Sequence, residues 1–365
     1  MVLLKLFFLL FLTQQCHGYV NNFKMSIFFN DQPTKVRYLL IDLATSESFA
    51  LHSKEFAEIY GDENTFDSAA SDTFKSLNET LKLSYAEELN TNSSAVTGVL
   101  GEDDVTVVMS FVEGEFLVAK EMSGNDIPIG RFDGSAAAGR IGFSKKKDTK
   151  TNLRDGLLDD GPLKVLCLDT SVAKDGSKKY TTIASGGYVY HDNFRTKVSS
   201  LPSSDGLWKF NVNKISIGKS TFSTVYPATL STTYNGLTLP EPIFQRLIRL
   251  LNAQFDRERG RYLVFCNLNR DILISVNSNV IPIQYDAYTE TIYKSNWCGL
   301  KVRSTKERKI VLGAPFYTNN GICLDFQNET IHFYDASPRE RINNYVITGN
   351  FRKNGITKTV FEERI

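Results

Sequence analysis

A chain of 365 residues with 42% hydrophobic side chains is long enough for two sizeable cores, and 12% aromatic content alongside many Thr, Ser, Val and Ile favours β structure. A formal charge of only +1 gives no electrostatic case for nucleic acid or a membrane surface as partner. Two β-rich lobes are the natural expectation.

The chain opens with Met1-Val2-Leu3-Leu4-Lys5, an apolar run to Leu12, and the small-residue pattern Cys16-His17-Gly18. This is the pattern of a secretory signal peptide, residues 1–18, cut after Gly18. The run is too short to span a bilayer and none of comparable length follows, so export is expected, to the extracellular space or a secretory or lysosomal compartment. Cleavage removes Cys16 and leaves Cys167, Cys266, Cys298 and Cys323, an even number that implies two disulfides in one of three connectivities. Asn78, Asn92 and Asn328 each begin a glycosylation sequon.

Residues 26–53 read as strand, turn at Asn30-Asp31-Gln32-Pro33, and an apolar strand Tyr38-Leu39-Leu40-Ile41 that stops at Asp42. An acid at the end of a buried strand is poised over a cleft. Leu81 to Tyr85 is a further strand, a polar loop follows to Thr97, and segments 97–101 and 104–108 are expected to form a hairpin. Lys145-Lys146-Lys147 with Lys150 reads as a solvated loop without function. Leu163 to Leu168 is a short strand, and the Lys-, Gly-, Ser- and Thr-rich segment 171–187 is the expected crossover between halves.

The second half opens with Gly206-Leu207-Trp208-Lys209-Phe210-Asn211-Val212, alternating as a half-buried strand does. Ala228-Thr229-Leu230-Ser231-Thr232-Thr233 then looks like the segment 38–46 used a second time, but with a serine where the first copy has its acid. After Pro240, the spacing of Ile243, Phe244, Leu247, Ile248 and Leu251 against Arg246 and Arg249 predicts one amphipathic helix. Asn354-Gly355 between apolar-polar runs predicts a terminal β-hairpin.

Taken in order, these pieces resemble the pepsin-like aspartic peptidases, a secreted family of two β lobes in which each lobe gives one catalytic Asp from an Asp-Thr-Gly loop. The resemblance rests on the Asp42 loop, on Tyr85 ahead of the segment 98–103, on Gly139-Arg140-Ile141-Gly142-Phe143, and on Gly206-Leu207-Trp208-Lys209-Phe210. Its most specific piece is Ile310-Val311-Leu312-Gly313-Ala314-Pro315-Phe316, followed by Asp325 and Ile331-His332-Phe333.

The resemblance implies an all-β bilobal fold with a cleft and a few short helices: an N-terminal lobe over 19–187, a C-terminal lobe over 188–336 and an extension over 337–365. It implies Cys266 paired with Cys298, and Cys167 then with Cys323. It makes Tyr85 the flap residue, Thr232 a binding residue of the second loop, and a peptide or protein in the cleft the expected partner. No cofactor and no metal is implied.

The same resemblance places Ser231 where the second Asp belongs. Two carboxylates are needed because they share one proton: the ionised one takes a proton from water while the protonated one polarises the scissile carbonyl. Around the retained acid the loop reads Asp42-Leu43-Ala44, without the hydroxyl and glycine of the family, and Thr233 replaces the second glycine. Asp42 also lies only 24 residues past Gly18, too few for the family's prosegment.

Losing one member of a catalytic unit costs on the order of 10⁴-fold or more. The histidines His52, His191 and His332 offer no metal-ligand spacing and no obvious nucleophile partner. The expectation is a secreted homologue that has lost proteolysis and retains its cleft for binding. A weakly active aspartic endopeptidase and a structural or oligomeric secreted protein are the alternatives.

Overall fold

The computed structural model describes residues 23–85, 94–107, 110–123, 131–132, 135–172, 178–189, 193–292, 295–336, 349–353 and 356–364. The signal segment, Asn92, His191 and the Asn354-Gly355 turn fall outside these residues.

The first sheet has seven strands in the order Lys24–Phe29, Arg37–Asp42, Gly139–Gly142, Phe49–Leu51, Ser110–Ser123, Ser94–Val107 and Lys75–Tyr85. Lys24–Phe29 also pairs with Ser94–Val107 through Ile27 and Val107, so the sheet bends back on itself. Its inner face is Phe29, Leu39, Ile41, Phe116, Val118 and Ile141, all buried, with Phe66 packed against Phe29 and Phe116. The expected hairpin within 97–108 is instead one strand, Ser94–Val107. Buried and half-exposed residues alternate along most of it, with one slip of phase at Leu100-Gly101, and the strand continues through Asp103 and Asp104 without a turn.

The second lobe is built from sheets of five, four and four strands. Trp208, fully buried, donates its indole N–H to the Phe143 carbonyl at 2.9 Å and thereby ties this lobe to the first. The helix expected after Pro240 spans Glu241–Leu250, with Ile243, Phe244 and Leu247 buried and Arg249 exposed. Three further helices, Ser53–Tyr60, Leu153–Asp159 and Ala314–Tyr317, agree with the few short helices that the resemblance implied; at four to eight residues they are too short for the spacing to have placed them individually.

A third sheet of seven strands joins the halves, in the order Phe194–Ser199, Thr330–Asp335, Asn320–Asp325, Val165–Val172, Lys178–Ser185, Ile356–Arg364 and Gly349–Lys353. Most of the supposed crossover 171–187 is therefore strand. Its Ser and Thr side chains misled because Ser171, Thr181, Thr182 and Ser185 are buried in the sheet rather than left in a solvated loop. A terminal hairpin forms between Gly349–Lys353 and Ile356–Arg364, and its second strand pairs with Lys178–Ser185 along its length.

Cys167 bonds Cys323 and Cys266 bonds Cys298, the two pairings the resemblance implied. One expectation fails at Lys145. Its side chain is 5% exposed, and its ammonium donates to the Leu201 carbonyl at 2.7 Å and lies 3.4 Å from Glu329, so it is a satisfied buried cation. Lys147 and Lys150 reach Glu329 and Glu79 from the surface.

Candidate functional site: one acid and its neighbours

Each lobe contributes the same local arrangement. In the first, Arg37–Asp42 runs parallel to Gly139–Gly142, and Phe49–Leu51 returns antiparallel on the other side of it. In the second, Tyr226–Leu230 runs parallel to Ile310–Leu312, and Leu237–Pro240 returns antiparallel. The loop that leaves the first strand is thus held between strand ends, close against the following glycine. A Cβ on Gly142 would stand 2.5 Å from the Ser46 carbonyl carbon, and one on Gly313 would stand 2.1 Å from the Tyr234 carbonyl oxygen. Both glycines are there for close backbone approach.

Asp42 ends its strand 2% exposed. Oδ1 accepts the Ala44 backbone N–H at 2.8 Å, and Oδ2 accepts Nη1–H of Arg140 at 2.8 Å. The two side chains of this ion pair are 3% and 6% exposed. Above it the Arg140 guanidinium carbon lies 5.3 Å from the centroid of the Tyr85 ring, within cation–π range. Tyr85 in turn packs edge-on against Phe49 at 5.4 Å. Tyr85 is 3% exposed and its hydroxyl has no hydrogen-bond partner among the described residues. Burial pushes its pKa well up, with Asp42 and Glu47 adding to the rise and Arg140 opposing it.

Across the lobes, Thr232 supplies a one-sided link. Its hydroxyl donates to the Ile41 carbonyl at 2.6 Å and accepts the Leu43 backbone N–H at 3.3 Å. Leu43, which holds the corresponding place in the first loop, has no hydroxyl with which to answer. Ser231 is 2% exposed; its N–H donates to the Leu312 carbonyl at 3.0 Å and its hydroxyl lies 3.5 Å from that of Thr233.

Of the expected site residues, the structure gathers Asp42, Thr232 and Tyr85 around one ion pair and turns the Ser231 hydroxyl toward its own loop. Thr232 sits at the junction of the lobes, bonded to the first loop's backbone. Arg140 was missed as a site residue. Its signal was a charge between Gly139 and Ile141 in an otherwise apolar strand, but its partner is 98 residues away.

Two histidines are accounted for by local partners. His52 contacts Glu55 through Nδ1 and Ser68 through Nε2. His332 Nε2 lies 2.9 Å from the Thr330 hydroxyl and 3.4 Å from the Tyr188 hydroxyl, and Tyr188 donates to Asp325 at 2.7 Å. Burial pushes the His332 pKa down. Among the described residues no cluster of His, Cys, Asp or Glu could hold a metal ion. No helix among them is long and apolar enough to cross a membrane. Asn78 and Asn328 are exposed, with Asn78 in a left-handed conformation at the bulge of an edge strand.

Two lobes of like design, each ending a buried strand in a loop beside a glycine, with a long hairpin carrying Tyr85, define a bilobal acid-protease architecture. The eukaryotic aspartyl protease family matches residues 35–336, and the chain belongs to that family. Among curated proteins it is similar to rhizopuspepsin of Rhizopus chinensis, 21% identical over 229 residues. That stretch covers 62% of this chain and 56% of rhizopuspepsin, so the chain matches little more than half of its relative's length.

Proposed function

We propose that this chain is a secreted pepsin-like homologue that has lost proteolysis and uses its cleft to bind a peptide or protein. The observation that carries this reading is the chemistry at the two loop ends. One holds a carboxylate and the other a buried serine hydroxyl, so no second acid is present to share a proton. A hydroxyl with its usual alcohol acidity cannot alternate between acid and base across the pH range in which two carboxylates do. Ser231 at best orients a water.

Two disulfides and three sequons support a route through an oxidising, glycosylating compartment, with residues 1–18 as the signal peptide and Asn78, Asn92 and Asn328 as acceptors. The lobes are assigned to 19–187 and 188–336, with 337–365 as an extension.

The test is cleavage of an unfolded protein by the purified mature chain between pH 3 and 6. No turnover is expected. Turnover that disappears in Asp42→Asn and under a statine-type inhibitor would establish a working peptidase and overturn the reading.

A further inference from the structure

The two strand registers allow the loops to be compared neighbour by neighbour. In the first lobe Leu40 lies opposite Arg140, Ile41 opposite Ile141 and Asp42 opposite Gly142. In the second, Thr229 lies opposite Val311 and Leu230 opposite Leu312, which brings Ser231 beside Gly313. Ser231 is therefore the counterpart of Asp42, and Val311 the counterpart of Arg140. Val311 is 1% exposed and lies between Thr229 and Thr238 of the flanking strands, with no charged residue opposite it. The lobe with an acid has an arginine at this place; the lobe without one has a valine.

A guanidinium placed inside a sheet loses its hydration, and only close partners offset that loss. Arg140 has such partners in Asp42 Oδ2 and in the Tyr85 ring that covers its face. From the side of Asp42, both oxygens are engaged, Oδ1 by a backbone N–H and Oδ2 by the guanidinium. Arginine has five donor hydrogens and no acceptor, and it stays protonated in proteins, so it can hold a carboxylate but cannot exchange a proton with it.

We infer that Arg140 takes the place of the second acid as the partner of Asp42, making the retained acid one half of a buried ion pair rather than a proton carrier. A ligand entering the cleft then meets a neutral floor capped by Tyr85 instead of a free carboxylate. This inference rests on the reading of the chain as inactive, and it assigns Arg140 as a positioning residue of that site.

The test uses the mature chain in two arms. In the first, Asp42→Asn, Arg140→Met, the double variant and Arg140→Lys are unfolded in urea. Each of the first two should lower the folding equilibrium constant by about 10²- to 10³-fold, since each removes one charge of a buried pair and leaves the opposite charge uncompensated by it. The double variant should lose far less than the product of the two, and Arg140→Lys, which keeps the charge, should retain part of the stability. Independent, multiplicative losses would overturn the pairing. If Arg140→Met fails to fold while the double variant folds, that result supports it.

In the second arm, calorimetry compares a statine-type peptide on Ser231→Asp and on Ser231→Asp with Arg140→Leu. Tenfold or tighter binding only when Arg140 is removed is the expected result. Equal affinity of the two variants, whether measurable or nil, would overturn the claim that Arg140 occupies the acid. The two ideas fail separately. Acid-pH cleavage by the unaltered chain would sink the inactive reading while the coupling in the first arm could still stand; absent coupling with no cleavage would sink only the role of Arg140.

Discussion

Thr232 offers a direct measure of how the lobes are joined at the loops. In Thr232→Val a methyl of similar size replaces the hydroxyl, so the change reads chiefly the loss of the hydroxyl's bonds. That hydroxyl is 1% exposed as part of its residue and makes two bonds across the junction, donating to the Ile41 carbonyl and accepting from Leu43 N–H. Losing the first removes about 0.5–1.5 kcal/mol, and leaving the buried Leu43 N–H without an acceptor adds about 1–3 kcal/mol. The sum is about 1.5–4.5 kcal/mol. Because the junction lies between lobes, the loss should fall on their docking, seen in urea unfolding as an earlier midpoint for probes that report both lobes. Thr232→Ser, which keeps the oxygen, should lose less than about half as much. A Thr232→Val loss under about 0.5 kcal/mol would refute the argument, since it would mean that water already serves Leu43 N–H.

Other outcomes follow from the same geometry. Ser231→Asp alone should leave acid-pH cleavage undetectable, because Leu43, Ala44 and Thr233 keep the loops without their hydroxyl and glycines; substantial turnover from that one change would contradict the loop argument. Removing Cys167 and Cys323 together opens a link over 156 residues, for which the chain-entropy relation gives about 5 kcal/mol, against about 4 kcal/mol for the 32-residue link of Cys266 and Cys298. Unfolding of the two double-alanine variants should therefore rank in that order. His332, with its pKa lowered by burial, binds a proton more readily once unfolded. Its contribution is complete above about pH 6.5 and is lost as pH falls from there through the lower folded value. His332→Gln should flatten the stability profile in that window; an unchanged slope would show that another group titrates there.

The sequence exposed what is local. Asp42 was legible because an apolar strand stops at an acid, and the helix Glu241–Leu250 because five apolar residues recur at helical spacing. Segment 171–187 was misread because polarity was taken for exposure, whereas its threonines face a sheet that joins two lobes. Lys145 was misread for the same reason: three adjacent lysines suggest solvent, but the first of them finds a carbonyl and a carboxylate from residues 56 and 184 positions away. Arg140 shows the limit most clearly. Its charge was visible between Gly139 and Ile141, but its meaning depends on a parallel strand pair that places Leu40 opposite it and Asp42 two residues on.

The comparison of the two loops also explains how a single acid is tolerated where two belong. A carboxylate 2% exposed has lost its water, a cost of several kcal/mol unless close partners replace it. In the second lobe that cost is absent, since Ser231 is neutral and Val311 beside it needs no counter-charge. In the first lobe it is offset by Arg140, whose own desolvation is offset by Asp42 and by the Tyr85 face. Each loop floor is thus neutral, one by an ion pair and one by having no charge. Restoring an acid at position 231 would break that balance on one side, adding a buried carboxylate in the lobe whose strand carries Val311 instead of an arginine. The arginine and the serine are therefore two parts of one altered site, and neither change can be judged with the other left out.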